Sequence, residues 1–295
     1  MRENPDKPVY VCRHCRLQFI ESRWKTEAEL RDYYRTEYRE HHEARIGVRF
    51  TAAQRFDTQR LLLQESARTF REKIAEGGSV LEIGCSSGAL LDNLKGRHEL
   101  YGLEWNPDDA KHVREELGIP CDEGLIEDAF PGKTFNTIIA IHVLEHQPDP
   151  GDFIRRVKKR LIGGGYLYLE VPNANDPLSA VYVLKEYQDF FYRDVHITYW
   201  LPHQLHWFLD SHGLEAQVSP LQRYGLLNHL NWFLNREPMK DPLLARTLLR
   251  PIPMAHPAAG PMNRLIAKLD REYRVGLQGL WASDSLVAVG RRLEI

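Results

Sequence analysis

The clearest chemical signal in the sequence is VLEIGCSSGALL at residues 80–91, where an apolar run ends in Glu82 and a turn bounded by Gly84 and Gly88. Glycines let the backbone approach a ligand where a Cβ atom would collide, and a helix starting after the turn presents free N–H groups. A dinucleotide site would need G-x-G-x-x-G, whereas the spacing here is G-x-x-x-G after an acid. Glu82 would repel a phosphate, but it would not repel a ligand that carries an ammonium group.

A second acid follows at a suggestive distance. Glu104 ends the next apolar run, 20 residues after Gly84, and Trp105 follows it. A carboxylate at a strand end can bind a ribose diol through two hydrogen bonds, and Trp105 offers an aromatic face. Either element alone could be an ordinary turn or strand-end acid, but their order and separation together favour a binding function.

Histidines after two later segments are candidate proton acceptors. His142 and His146 follow the run FNTIIAI with Glu145 between them, and His196 follows the aromatic run FFY. An oxygen or carbon nucleophile must lose a proton, and a histidine with a pKa near the working pH can take it. We expect His196 to be the general base, because it lies in a loop where an acceptor would enter; His146 is the nearer alternative, and His142 is expected to line the cofactor site.

We expect no metal at His142 and His146. Zinc-protease geometry needs H-E-x-x-H on a helix, whereas this segment passes from a strand into a turn. Cys12 and Cys15 form a C-x-x-C pair, but zinc needs four ligands, and only His14, His41 or His42 could supplement them. A remnant knuckle, or a site completed by a partner, is therefore expected in place of a working zinc site.

Alternating apolar and helical patterns must position these residues. Helical spacing predicts a helix over residues 51–75, and strands are predicted at 79–83, 99–104, 135–141 and 166–171, with helices at 108–117 and 152–161 between them. This alternation predicts a parallel sheet covered on both faces. Three glycines at 163–165 predict a turn before the fourth of these strands. A helix at 202–212 and strands at 214–219 and 285–291 follow.

These patterns divide the chain into four parts. Residues 1–45 form a C-x-x-C-containing N-terminal appendage, 46–221 the core, 222–282 a helical insertion and 283–295 the last core strand. The insertion is too long for a hairpin, so we expect a cap or an oligomer contact, with a homodimer as the candidate assembly.

Composition excludes some classes of function. The chain has 39 Lys and Arg against 41 Asp and Glu, so no overall basic field would attract nucleic acid. No apolar run approaches the roughly 18–20 residues of a membrane span, and the N-terminus lacks the apolar core of a signal peptide. A cytoplasmic protein with reduced cysteines is expected.

On these residues the chain resembles the class I S-adenosylmethionine-dependent methyltransferases, and more narrowly the bacterial branch whose members often modify sugars or glycans. The matching stretches are EIGCSSG at 82–88, Glu104, FNTIIAIHVLEH at 135–146, LIGGGYLYLEVPN at 161–173 and HITYWLP at 196–202. The resemblance implies an α/β, Rossmann-like, mostly parallel sheet of seven strands in the order 3-2-1-4-5-7-6. The last strand would be antiparallel, and S-adenosyl-L-methionine would lie over the switch point.

The resemblance also implies a set of cofactor-binding residues: Glu82, Gly84, Cys85, Ser86, Gly88, Glu104, Trp105, Ile126 and His142. Two positions depart from the family pattern. Asn136 replaces a usual aspartate whose role is mostly structural, and Leu125 replaces an acid that usually binds the adenine amino group. Adenine would then be held by backbone groups or by Glu127 or Asp128. The C-x-x-C segment YVCRHCRLQF resembles the second half of a zinc ribbon that precedes this fold in sugar C-methyltransferases.

The predicted function is methyl transfer to oxygen or carbon of a small molecule, with a sugar or glycan precursor favoured by resemblance. One alternative acceptor is a quinone or other phenolic metabolite. A different class of function is a catalytically silent, methyltransferase-like subunit that binds a protein partner through the appendage and the insertion. The presence of Glu82, Gly84, Gly88 and Glu104 argues against a silent subunit.

Overall fold

A computed structural model describes residues 8–41, 50–239, 245–246 and 258–294. His42, one of the supplementary zinc ligands considered above, and parts of the predicted insertion lie outside these ranges. Within them, the strands are β1 (Val9–Val11), β2 (Gln18–Ile20), β3 (Ser79–Ile83), β4 (Glu99–Leu103), β5 (Cys121–Asp122), β6 (Phe135–Ile141), β7 (Leu161–Pro172), β8 (Thr198–Tyr199), β9 (Leu214–Leu221) and β10 (Ser285–Arg292).

The α-helices of the same ranges are α1 (Glu27–Thr36), α2 (Ala52–Leu62), α3 (Gln64–Lys73), α4 (Ala89–Leu94), α5 (Pro107–Glu115), α6 (Pro150–Arg160), α7 (Lys185–Phe191), α8 (Pro202–Ser211), α9 (Leu226–Asn235) and α10 (Ala259–Gly279). A 3₁₀ turn covers Leu144–His146, and a π-helical turn covers Pro177–Val181.

Seven of the described strands form one sheet in the order β5-β4-β3-β6-β7-β10-β9. The pairs from β5 to β7 are parallel, and β10 runs antiparallel to both of its neighbours. Numbered within the sheet, this order is 3-2-1-4-5-7-6, so the predicted Rossmann-like fold is confirmed. All five residues of β3 are buried, as expected of a central strand covered on both faces.

Two predicted boundaries differ from the structure. The helix predicted over 51–75 is two helices, because Leu63 leaves the helical conformation at ψ +3° and lets α2 contact both α4 and α5 while α3 buries Phe70. β7 begins at Leu161, which pairs with Phe135, so the three glycines lie inside the strand. They form an irregularity there, with Gly164 at φ +73°.

The N-terminal segment packs on the loop that carries His196. β1 and β2 form an antiparallel hairpin, and β2 pairs with β8 just after that histidine. The backbone N–H of Ile20 also donates to the carbonyl oxygen of Ile197. This three-stranded sheet attaches the segment beside the carboxyl ends of the parallel strands.

Helices α9 and α10 lie between β9 and β10 in the chain and contact each other. His229 of α9 lies 2.6 Å from the hydroxyl oxygen of Tyr273 of α10, and buried Asp270 accepts from the backbone N–H of Leu226. Among the helices described, none is both long enough and apolar enough to cross a membrane.

Candidate functional site

A cavity of about 470 Å³ lies at the carboxyl ends of β3, β4 and β6. Its walls come from the turn after β3, the ends of β4 and β6, the helix α1 with the residues that follow it, and the loop after α7. This is the edge of an open α/β sheet where ligands bind. Of the predicted site residues, those that line the cavity are Glu82, Gly84, Cys85, Ser86, Glu104, Trp105, His142, His146 and His196.

The turn after β3 has the left-handed backbone that its glycine suggested. Gly84 has φ +69°, and a Cβ atom there would lie 2.9 Å from Cγ2 of Val143. Ser86 also has positive φ, at +48°, and its backbone N–H donates to Oε2 of Glu104 over 2.8 Å. The turn is therefore tied directly to the acid at the end of β4.

Glu104 is buried and held by two backbone N–H groups. Oε2 accepts from Ser86, and Oε1 accepts from the backbone N–H of Asn106, also over 2.8 Å. Burial raises the pKa of Glu104, while the nearby Arg39 guanidinium and these N–H groups oppose that rise. The indole N–H of Trp105 donates to the carbonyl oxygen of Gly124, which orients the ring at the cavity wall.

Glu82 is a buried carboxylate with an unsatisfied oxygen. Its side chain is 4% exposed, and its Oε2 has no hydrogen-bond partner among the described residues. Burial, followed by repulsion from Glu104, raises the pKa of Glu82 well above its usual value. A cationic group in the cavity would compensate this burial.

Two residues predicted to bind cofactor have other surroundings. Gly88 precedes α4 with φ +79°, and an added Cβ would lie 2.7 Å from Leu117 and 2.9 Å from Val113, so close packing on α5 requires this glycine. Ile126 is 2% exposed and belongs to the hydrophobic core. Neither is among the residues that line the cavity.

The structure also shows the surroundings of Cys85, of Asn136 and of Glu127, one of the residues considered for adenine binding. The Cys85 sulfur lies 3.8 Å from that of Cys121, and both side chains are buried. Oδ1 of Asn136 accepts from the backbone N–H of Ser79, so it joins the starts of β6 and β3. Glu127 forms an ion pair with Arg156 at 3.0 Å, and neither residue is among those that line the cavity.

His142 has a defined tautomer. Its Nε2 lies 2.7 Å from Nη1 of Arg223, which can only donate, so Nε2 accepts and Nδ1 carries the proton. Nδ1 then donates to Oε1 of Glu145 over 2.9 Å. Burial, followed by the charge of Arg223, lowers the pKa of His142 well below its usual value. Arg223 also pairs with buried Glu170.

His146 and His196 come together although 50 residues separate them in the sequence. Nδ1 of His146 lies 2.6 Å from the carbonyl oxygen of Val195, which can only accept, so Nδ1 carries the proton and Nε2 keeps its lone pair. The His196 ring stands edge-on to the His146 ring, with centroids 4.8 Å apart. Burial lowers the pKa of His146, while Glu145 opposes that shift.

Sequence reasoning missed the contribution of the N-terminal segment. Tyr34, Tyr38 and Arg39 all line the cavity. The hydroxyl oxygen of Tyr34 lies 3.0 Å from Nδ1 of His146, and Arg39 donates to Oγ of Ser86 over 2.9 Å and pairs with Asp109. The only sequence signal was the Tyr-rich composition of this stretch, which does not say where the side chains point.

Comparison with known proteins identifies the family. A family model described as a methyltransferase domain matches residues 53–218. That stretch is more than half of the chain, so the chain belongs to this family. This match confirms the prediction of a class I S-adenosylmethionine-dependent methyltransferase.

Individual relatives match in part. The ubiquinone biosynthesis O-methyltransferase of Azorhizobium caulinodans is 27% identical over 155 residues, which cover 49% of this chain and 58% of that protein. The tRNA U34 carboxymethyltransferase of Pseudoalteromonas translucida is 30% identical over 103 residues, 32% of each chain. The phosphatidylethanolamine N-methyltransferase of Cereibacter sphaeroides is 30% identical over 124 residues, 39% of this chain and 61% of that protein. The chain thus spans only part of the length of the curated relatives it matches.

A crystal structure of a SAM-dependent methyltransferase from Archaeoglobus fulgidus has the same fold. The TM-score is 0.52 at 16% sequence identity, and the match covers 87% of this chain and 100% of that one. At this identity the likeness concerns the fold alone.

Proposed function

We propose that this chain transfers a methyl group from S-adenosyl-L-methionine to oxygen or carbon of a small molecule. The observation that carries the proposal is the convergence, in one cavity, of the Gly84 turn, buried Glu82 and Glu104 with the histidines His146 and His196. The first three are suited to the donor, and the histidines lie where an acceptor could meet it.

The residues of the cavity fit the donor's functional groups. The unsatisfied oxygen of Glu82 would accept from an ammonium group. Gly84 lines the cavity without a side chain, so the ligand could approach its backbone closely. Each carboxylate oxygen of Glu104 accepts one backbone N–H and has a further lone pair that could accept from a ribose hydroxyl. Trp105 would flank the adenosine. When bound, S-adenosylmethionine supplies an activated methyl group on a sulfonium sulfur.

The chain's own contribution to the reaction is mainly alignment of donor and acceptor. His146 and His196 line the same cavity as the residues proposed to bind the donor, so we assign removal of the acceptor proton to these two histidines. The sequence favoured His196 as the general base. The Val195 hydrogen bond supports His146 equally well, because it leaves Nε2 of His146 able to accept a proton.

For the acceptor, we favour a sugar or glycan precursor, on the family resemblance. Polar groups at the cavity wall support it, since hydroxyl-rich ligands need many hydrogen-bonding partners: Tyr34, Arg193 and His196 lie there. A quinone or phenolic acceptor has its own support. Tyr187, Phe190 and Phe191 also line the cavity, and several partial relatives are named ubiquinone biosynthesis O-methyltransferases.

Calorimetric titration with S-adenosylhomocysteine tests the donor site, and radiolabelled methyl transfer to a panel of nucleotide sugars and catechols tests the acceptor class. We expect one cofactor per chain and transfer to one of the two groups. Absence of cofactor binding would refute the proposal. Binding without transfer to any small molecule would favour the silent subunit that binds a protein partner.

A further inference from the structure

Three neighbouring side chains, two of which line the cavity, have the composition of a metal site. The ligand atoms of Glu145, His146 and His196 lie within 4.8 Å of one another. Two imidazoles and one carboxylate are a set that binds zinc in hydrolytic enzymes and leaves a position open. His142 is not part of the set, because Arg223 and Glu145 engage both of its ring nitrogens.

Glu145 supplies an independent indication of a missing partner. The residue is fully buried, and its carboxylate oxygen Oε1 accepts a hydrogen bond from His142. Oε2 is buried and has no hydrogen-bond partner among the described residues. The Nε2 atom of His146 is 4.0 Å from Oε1, which is too far for a hydrogen bond. An unpartnered carboxylate oxygen at this depth is costly unless a cation compensates it.

The surroundings orient two of the ligands as metal sites commonly do. Metal-binding imidazoles usually donate their second N–H to a carbonyl or carboxylate, and ligand carboxylates are themselves hydrogen-bonded. His146 donates from Nδ1 to Val195, which leaves Nε2 as the coordinating atom. Glu145 accepts from His142 at Oε1 and keeps Oε2 for an ion.

We propose that Glu145, His146 and His196 bind one divalent transition-metal ion, with zinc as the reference ion. Ligand bonds of about 2.1 Å place tetrahedral ligand atoms roughly 3.4 Å apart, so binding would draw the three atoms together. The expectation of no metal at His142 and His146 left out His196, which folding brings from another loop to a ring distance of 4.8 Å from His146.

The role of the ion rests on the proposed methyl transfer. His146 and His196 line the cavity, so an open coordination position would face the acceptor. A bound ion would lower the pKa of a coordinated acceptor hydroxyl, so that its proton passes to solvent and its oxygen becomes a nucleophile near neutral pH. A coordinating imidazole has no free lone pair, so the ion would replace a free histidine base.

The test is direct metal binding by the full chain. After dialysis against a chelator, the protein is titrated with Zn²⁺ by calorimetry and with Co²⁺ by visible absorption. We expect one ion per chain, with affinity at least about tenfold weaker in Glu145→Gln and in His196→Ala, since each loses one of three ligands. His206→Ala is the matched control, because that exposed histidine pairs with Asp210 instead. Cys12→Ser tests the C-x-x-C pair, and its affinity should equal that of the wild type.

Circular dichroism identifies any variant that fails to fold, and His196→Ala, which removes a partly exposed side chain, serves if Glu145→Gln does not fold. Absence of stoichiometric binding, or binding lost in Cys12→Ser but kept in His196→Ala, would overturn the metal site. The same samples are titrated with S-adenosylhomocysteine. Cofactor binding without metal binding refutes only the metal site, whereas loss of cofactor binding in the wild type refutes the proposed function.

Discussion

Replacement of Glu104 by glutamine is the most informative perturbation of the donor site. The substitution keeps the size of the side chain and removes its charge. Glu104 lies at the end of β4 and accepts one backbone N–H at each carboxylate oxygen, from Ser86 and from Asn106. The proposed ribose hydroxyls would donate to the remaining lone pairs of those two oxygens.

The expected loss of binding free energy in Glu104→Gln follows from these hydrogen bonds. Hydrogen bonds to a charged acceptor contribute about 1.5–3 kcal/mol, and those to a neutral one about 1 kcal/mol. Losing the charge and one acceptor atom should weaken binding by about 1–3 kcal/mol, or roughly 5–150-fold in Kd. The amide nitrogen must also face one of the two backbone N–H groups, so the free energy of unfolding should fall by about 1–3 kcal/mol.

The assay is calorimetric titration of wild type and Glu104→Gln with S-adenosylhomocysteine, at a temperature where denaturant curves show both proteins fully folded. Asp108→Asn is the matched control, since it removes an exposed acid in the first turn of α5. Its Kd should equal that of the wild type. If Glu104→Gln also keeps the wild-type Kd while folded, Glu104 does not contact the ligand and the donor site is misassigned.

Three other changes test separate parts of the structure. Gly84→Val should abolish S-adenosylhomocysteine binding in calorimetry while circular dichroism shows the sheet retained, because a Cβ atom there would lie 2.9 Å from Cγ2 of Val143 and would distort the left-handed turn that lines the cavity; wild-type affinity would contradict this. Burial lowers the pKa of His229 to about 4, against about 6.5 in an unfolded chain, so the folded state binds fewer protons between these values and its stability falls as pH drops. From pH 8 to pH 5 the wild type should lose about 2 kcal/mol of unfolding free energy through this group. His229→Gln should lack that loss, and denaturant curves of equal pH dependence would refute the assignment. Cys12→Ser should leave the melting temperature unchanged within about 2 °C, because two cysteines do not close a tetrahedral zinc site; a larger fall, reproduced by chelation, would indicate structural zinc.

The sequence alone determined the alternation of strands and helices and the side of the cavity proposed to bind the donor. Strand, turn and helix at residues 79–94 are encoded by neighbouring residues, and so is the strand that ends in Glu104. Their relation in space then follows from the rule that carboxyl ends of parallel strands share one edge. Glu82, Gly84 and Glu104 could therefore be placed at one edge of the sheet without coordinates.

The sequence predicted roles less well for residues whose identity is explained by packing. Gly88 matches the ligand-binding pattern, yet its surroundings are Leu117 and Val113, and Ile126 belongs to the core. Spacing along the chain reports local backbone needs. It does not report which side chain from a distant helix fills the space above a glycine.

The side of the cavity proposed to bind the acceptor was decided by tertiary structure. Tyr34 reaches His146 across 112 residues of sequence, and His196 reaches it because the loop after α7 pairs with β2 through β8. These contacts depend on how separate elements pack together. Such packing is governed by the burial of the apolar faces of helices and sheets, and not by the spacing of residues along the chain. The sequence could therefore name the histidines, but only the folded chain brought His196 to Glu145 and His146, because no local pattern encodes a contact between two loops.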